Sequence, residues 1–288
     1  MTPLRRTLIA TAALMAALGG AAWAQATGPA AAEPYTPSVG QAGKDVVWVP
    51  TPQALVDRML DMAGLTPQDR LVDLGSGDGR TVITAAKRGA TAHGIEFNGD
   101  MVALSRQRAA AEGVAARATF EQGDIFESDF SDADVVTLFL LHSLNMRLRP
   151  ILLDMAPGTR IVANSFDMGD WEPDESSEVT EEEDCTSYCT AFKWVVPAKV
   201  AGTWEVDGKP LALKQSFQML EGTLQESAAP RSIRNGRLDG AAIRFTVGDD
   251  QYEGVVDGER MEGKINGARP WRATLREAAP ATPQPADS

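Results

Sequence analysis

Apolar positions along this chain follow two different rhythms. Between residues 46 and 196, short apolar runs alternate with longer amphipathic stretches. The runs Arg70-Leu71-Val72, Ala92-His93-Gly94-Ile95, Ala118-Thr119-Phe120-Glu121, Asp134 to Leu140, Arg160 to Phe166 and Thr190 to Val196 predict strands. Asp134 to Leu140 is almost continuously apolar, as the buried centre of a parallel sheet requires. Between the strands, Thr81 to Arg88, Gly99 to Glu112 and Asn145 to Met155 predict helices, the last bent or restarted at Pro150. Ahead of them, Asp45 to Pro50 reads as extended. A helix then begins with Thr51 as N-cap and Pro52 at its first position, carries Leu55, Met59 and Met62 on its apolar face, and stops at Gly64. This alternation predicts an α/β fold with a doubly wound, Rossmann-like sheet and right-handed crossovers.

After Pro197 the rhythm changes to short alternating runs separated by turn pairs. Asp207-Gly208, Asn235-Gly236, Asp239-Gly240, Asp257-Gly258 and Asn266-Gly267 predict hairpins. Candidate strands are 203–206, 243–247, 252–256 and 271–275, giving a small antiparallel β meander or barrel over 200–277. That region shows no catalytic constellation. The expected organisation is a signal segment at 1–24, a disordered Ala/Pro/Gly-rich linker at 25–43, the α/β domain at 44–199, the β domain at 200–277 and a disordered tail at 278–288.

The first strand ends in Asp73-Leu74-Gly75-Ser76-Gly77-Asp78-Gly79-Arg80. A strand, a glycine turn and a helix in that order make a nucleotide-binding βα unit, with helix N–H groups free for a polar ligand. The spacing is Gly-x-Gly-x-Gly, unlike the fingerprint of dinucleotide enzymes. The second strand ends in Glu96, about 20 residues on, where a carboxylate is placed for ribose hydroxyls. The third leads to Gly123-Asp124-Ile125.

This ordered set of strand ends resembles the class I S-adenosylmethionine (SAM) methyltransferases. The blocks Val49-Pro50-Thr51-Pro52, Val72 to Arg80, Gly94-Ile95-Glu96-Phe97-Asn98, Gly123-Asp124-Ile125-Phe126 and Arg160 to Phe166 resemble the mitochondrial ATP-synthase c-subunit lysine methyltransferases. More distantly they resemble the non-SET histone-lysine methyltransferases. The resemblance implies SAM as cofactor, with Thr51, Asp73, Gly75, Ser76, Gly77, Gly79, Glu96, Phe97, Asn98, Asp124 and Ile125 around it. The glycines would hold its amino-acid part. Asp73 would support the turn or meet the ammonium through water. Glu96 would take the ribose, Asp124 the adenine amino group, and Ile125 and Phe97 the ring faces.

The fourth strand runs into Leu140-Leu141-His142-Ser143-Leu144-Asn145. It lacks the (Asn/Asp/Ser)-Pro-Pro-(Tyr/Phe) signature of methylases acting on bases and glutamine amides. His142 and Asn145 are the candidate catalytic residues: His142 as a base or acceptor contact, or alternatively a partly buried loop histidine. The expected reaction is methyl transfer to an amine, a protein lysine before a small-molecule or lipid-like acceptor. A non-catalytic binding protein is the reading from another class.

Composition narrows the partners. The net charge is −13, a field that repels phosphate backbones, so no nucleic-acid partner is expected. Ten acids between 167 and 184 read as a solvated loop or as a lid that attracts a basic substrate. Arg5-Arg6, the apolar run Leu8 to Leu18 and Ala22-Trp23-Ala24 read as a cleavable signal peptide cut before Gln25. The expected location is therefore periplasmic or secreted, with no integral membrane span after cleavage, and Arg5 to Ile9 fits a loose twin-arginine pattern. Cys185 and Cys189, the two cysteines, are either a disulfide or free thiols, and too few for a zinc site. No metal is expected.

Overall fold

In the computed structural model, residues 35–226 and 229–279 are described. The expected signal segment, most of the linker and nearly all of the tail lie outside them.

The α/β part contains α1 (Gln53–Met62), β1 (Arg70–Leu74), α2 (Arg80–Lys87), β2 (Thr91–Glu96), α3 (Gly99–Ala111), β3 (Ala118–Gln122), β4 (Val135–Leu138), α4 (His142–Leu153), β5 (Arg160–Asn164), β6 (Glu175–Glu178) and β7 (Thr190–Val195). Its seven strands are ordered β3-β2-β1-β4-β5-β7-β6. The first five are parallel, β7 runs antiparallel to β5, and β6 runs antiparallel to β7. Side chains alternate across the sheet. Leu71, Val135 and Val162 face the layer of α1, α2 and α3, while Val72, Val136 and Ile161 face α4 through Leu144, Leu148 and Leu152. Both faces being covered explains the continuous apolar reading of β4. The chain reverses its winding at β1 and β4, so their C-terminal ends border a crevice.

Three local features differ from the sequence expectation. Thr51 does not cap α1: Pro52 occupies the cap position without a side-chain hydrogen bond. The Thr51 hydroxyl instead accepts from Asn164 Nδ2 at 3.3 Å, and its carbonyl accepts from Arg80 Nη1 at 2.8 Å, drawing the residue into the sheet end. Helix α4 starts three residues early, at His142, and continues through the exposed Pro150. Residues 35–43, where composition predicts a linker, are tied down instead. Gly40 N donates to Trp48 O and Trp48 N to Gln41 O, so the segment folds back on 46–48.

The acidic run 167–184 is more than a solvated loop. It supplies β6, a 3-10 turn at Glu181–Glu183 closed by a Thr180/Glu183 capping box, and the fully buried Trp171. Cys185 and Cys189 are joined as a disulfide.

The C-terminal part is a closed barrel of eight antiparallel strands: β8 (Gly202–Val206), β9 (Lys209–Ser216), β10 (Met219–Gln225), β11 (Pro230–Asp239), β12 (Ala242–Val247), β13 (Asp250–Asp257), β14 (Arg260–Ile265) and β15 (Arg269–Ala278). Closure leaves no free sheet edge. Trp204, Trp271, Phe245, Tyr252, Leu211 and Met261 fill the interior. Asn235-Gly236 is a bulge inside β11, not a hairpin turn. Asn235 takes a left-handed φ of 52°, and a Cβ on Gly236 would stand 2.5 Å from the Leu220 carbonyl oxygen. The pair thus lets the ten-residue β11 bend around the barrel wall without ending.

The two parts are locked through Trp171. Its ring lies 6.1 Å from Trp194 of β7 and stacks at 5.9 Å on Phe217 of the β9–β10 turn. Gln218 Nε2 donates to Glu172 O at 2.8 Å, and Arg237 Nη2 donates to Asp174 at 2.5 Å. Trp171→Ala should cost about 3–5 kcal/mol, the usual loss for a buried tryptophan. Scanning calorimetry should show one unfolding transition for the wild type and two for this variant. A single unshifted transition would mean that Trp171 does not couple the two parts.

Candidate functional site

A cavity opens over the C-terminal ends of β1, β2 and β4, and the glycine turn builds its floor. Gly75 N and Ser76 N both donate to Ile95 O, at 2.9 and 3.0 Å, which pins the turn to β2. Ser105 Oγ donates to Gly77 O at 3.0 Å, which pins it to α3. Gly77 has φ 52°, and a Cβ there would meet the Trp48 indole nitrogen at 2.6 Å. Only glycine lets Trp48 close over the turn.

Three carboxylates surround this floor. Asp73 is buried, and Thr137 Oγ1 donates to it at 2.6 Å. Among the described residues no cation pairs with it. Burial, opposed by the Thr137 hydrogen bond and reinforced by the nearby Glu96 and Asp78 charges, pushes its carboxyl up to about 7. Glu96 accepts from Gly77 N and from Asn98 N, each at 2.9 Å, so each oxygen keeps capacity for another donor. Asp124 accepts from Phe126 N at 3.0 Å and pairs with Lys44. The Lys44 contact leads the effects that hold its carboxyl below the usual range. Lys44 also lies 5.2 Å over the Phe97 ring.

A fourth carboxylate, Asp78, is equally buried and has a different role. Burial raises it, but the guanidiniums of Arg80 and Arg108 outweigh burial and hold it below the usual range. It is a structural ion cluster that joins the turn to α2 and α3. Asp73 is therefore the buried carboxylate left without a counter-charge, which is how a site for a cationic group looks before that group arrives.

Of the sequence-derived residues, Thr51, Asp73, Gly75, Ser76, Gly77, Glu96, Phe97, Asn98, Asp124 and Ile125 line the cavity together. The Asn98 side chain, however, accepts from Asp100 N and Met101 N as the cap of α3. Gly79 does not reach the cavity. It caps α2 and packs toward Phe120 and Ser105. Asn145 is fully buried, donating to Phe166 O and Asp167 O at 3.0 and 3.2 Å, and so holds the β5 loop instead of facing the cavity. His142 is half exposed at the start of α4, its Nδ1 2.8 Å from Asp167 Oδ1. Sequence reasoning missed Thr137, whose hydroxyl was the one polar side chain inside the β4 run Val135–Leu138, and Lys44 and Trp48, which reach the site from the first residues of the expected α/β domain, Trp48 from a stretch read as extended chain.

These residues fit SAM. The buried, unpaired Asp73 matches an ammonium group, and Glu96 matches a pair of ribose hydroxyls. The buried Ser76 Oγ, which lines the same cavity, has no hydrogen-bond partner among the described residues.

Sequence comparison with known families and proteins agrees. The ANTKMT methyltransferase domain model matches residues 73–175. A protein-lysine N-methyltransferase from Saccharolobus islandicus is 40% identical over 154 residues, covering 52% of this chain and 94% of that protein. A human lysine N-methyltransferase named for the ATP-synthase c-subunit is 41% identical over 105 residues, covering 36% of this chain and 45% of that protein. Among solved structures, an RNA methyltransferase from Salinibacter ruber in complex with S-adenosyl-L-homocysteine is 47% identical. It covers 53% of this chain and 96% of that one, with a TM-score of 0.49.

The Asp73 carboxyl sets a pH signature. Its folded pKa lies above the unfolded value, so its contribution to stability is complete below about pH 4 and is lost as pH rises toward 7. A shift of this size corresponds to about 4 kcal/mol by pH 7. In ligand-free protein, Asp73→Asn should therefore gain stability relative to wild type as pH rises from 4 to 7 in urea titrations. A pH-independent difference would show that the wild-type carboxylate is already ionised.

Proposed function

The chain belongs to the family of SAM-dependent protein-lysine N-methyltransferases, and on that premise we propose that it methylates the side-chain amine of lysine in a protein substrate. The observation that carries the reading is the acid-ringed cavity over the glycine turn, opening beside Phe139 and Leu140 at the end of β4. SAM supplies an activated methyl group on a sulfonium, with a neutral thioether as leaving group. The chain's own contribution is then chiefly positioning, worth up to about 7–11 kcal/mol in favourable cases.

Each residue has a part in that positioning. Asp73 would meet the ammonium group of SAM, Glu96 would hold the ribose, and Asp124, which pairs with Lys44, would take the adenine amino group. Phe97 and Ile125 exclude water from the ring faces. A lysine acceptor must lose a proton, since its ordinary pKa is about 10.4. Apolar walls at Phe139, Leu140 and Leu144 lower that value by desolvation. His142 stands by the same strand end. In the tautomer that donates Nδ1–H to Asp167, its Nε2 would accept the proton. The neutral amine left by that proton loss would be the nucleophile for the methyl group that SAM supplies when bound.

We also propose that the protein works outside the cytoplasm. The Arg5-Arg6 pair, the apolar run and the Ala22-Trp23-Ala24 site support export, and the Cys185–Cys189 disulfide suits an oxidising compartment. No helix among the described residues is long and apolar enough to cross a membrane. Cell fractionation should recover the protein from the periplasm or medium, beginning at Gln25. Uncut protein in the cytoplasm would reject this.

The acceptor test uses SAM carrying a radiolabelled methyl group and an extract of envelope proteins. Label should appear on lysine after hydrolysis. Glu96→Ala should fall at least tenfold in SAM affinity, since two charge-assisted hydrogen bonds of about 1.5–3 kcal/mol each are removed. Label confined to small molecules, lipids or RNA would replace lysine as the acceptor.

A further inference from the structure

Outside the carboxylate ring, three aromatic side chains meet that neither the motif nor the cofactor accounts for. Phe139 follows β4 and lines the cavity. Phe166 follows β5. Tyr188 lies between the two bonded cysteines, ahead of β7. Phe139 and Phe166 stack at 6.3 Å with planes 26° apart, and Tyr188 lies 5.3 Å from the first and 5.9 Å from the second. The cluster is thus built from three separate strand ends, and Phe139, which lines the cavity, touches both of the other rings.

It is not a core. Tyr188 is 45% exposed, and both phenylalanines are only partly buried. Three mutually touching, partly exposed rings form a contiguous apolar patch next to the cavity that Phe139 lines.

The backbone is also held in sparsely populated conformations there. Tyr188 has φ 57° and Ser165, beside Phe166, has φ 59°. A left-handed tyrosine is disfavoured and persists only where its surroundings impose it. Here they do. Cys185 is buried in the core shared by α1 and β7, Cys189 packs against the same core, and their bond closes the short loop that carries Tyr188. Ser165 N donates to Thr190 O at 2.8 Å, tying the Phe166 turn to the same strand.

The electrostatic surroundings point to the ligand. Asp167 follows Phe166 directly, and the segment behind it carries the ten acids of 167–184. Four of the ten pair with Arg58, Arg149, Lys193 and Arg237; a ring cluster with Asp167 next in sequence to Phe166 suits an alkylammonium, which is drawn to aromatic faces and to carboxylates at once. The ring faces are also low-dielectric, the surroundings that ease an ammonium toward the neutral amine.

We propose that Phe139, Phe166 and Tyr188 form the slot that binds the acceptor's lysine ammonium beside the cavity, and that the Cys185–Cys189 disulfide is the element that holds Tyr188 in it. This rests on the lysine reading above. It adds the residues that recognise the side chain and a positioning role for the disulfide.

Binding, not turnover, tests it. With S-adenosylhomocysteine saturating, trilysine and its uncharged counterpart trinorleucine are titrated into the full chain by calorimetry. Trilysine should bind at least tenfold more tightly than trinorleucine. Tyr188→Phe should keep that preference, because the ring is what matters. Tyr188→Leu, apolar but without a π face, should lose at least fivefold in trilysine affinity. The double variant Cys185→Ala, Cys189→Ala should lose at least threefold with Tyr188 still present. Circular dichroism and S-adenosylhomocysteine affinity check that each variant is folded. Equal trilysine affinity in Tyr188→Leu and wild type would overturn the slot, and label on protein lysine would then leave the lysine reading standing. Tyr188-dependent trilysine binding without any label on lysine would keep the slot and reject the acceptor assignment. An unaffected double cysteine variant would overturn the role given to the disulfide.

Discussion

The candidate site is organised around a carboxylate kept out of water without a counter-charge among the described residues. Asp73 sits near the end of the central strand β1, where both sheet faces are covered, and the Thr137 hydroxyl is its hydrogen-bonding neighbour from β4. Isolated charge in such a place is costly, so the group holds a proton near neutrality until a cation arrives. The contrast with Asp78, five residues on, is informative. That carboxylate is just as buried, but Arg80 and Arg108 neutralise it, and it serves the architecture. Two acids at the two ends of one strand-to-turn segment thus differ in kind: Asp78 is neutralised and holds the turn in place, and Asp73 keeps no counter-charge among the described residues.

Much of this was legible because the governing rules are local. Strand, turn and helix around Asp73 to Arg80 follow from glycine placement and apolar period, and Glu96 and Asp124 follow from the ends of the next two strands. The illegible parts depend on contacts distant in sequence. Nothing near Lys44 announces that it reaches Asp124, eighty residues away. Thr51 looks like a helix cap until Asn164 and Arg80 claim its oxygens. Asn235-Gly236 has the chemistry of a hairpin turn, and barrel curvature uses it as a bulge. Asn145, chosen for chemistry, holds a loop, because the carbonyls that follow β5 needed a donor.

The acidic segment shows how one stretch can serve fold and function together. Its charge pattern suggested a solvated loop, yet Trp171 within it is the bolt between sheet and barrel, and its end carries the disulfide loop. The barrel therefore braces the segment that leads into β6 and, through Trp171 and Trp194, strand β7, which follows the Tyr188 loop. The chain spans about half the length of the human lysine methyltransferase it matches. The barrel lies beyond the matched domain, residues 73–175.

The central claim is that Asp73 waits protonated and ionises as SAM binds. Calorimetric titration of SAM at pH 6 in buffers of different ionisation enthalpy measures this directly. The account predicts release of about one proton per site, absent in Asp73→Asn. Wild-type binding with no proton release would contradict it, because the carboxylate would then already carry its charge in the free protein.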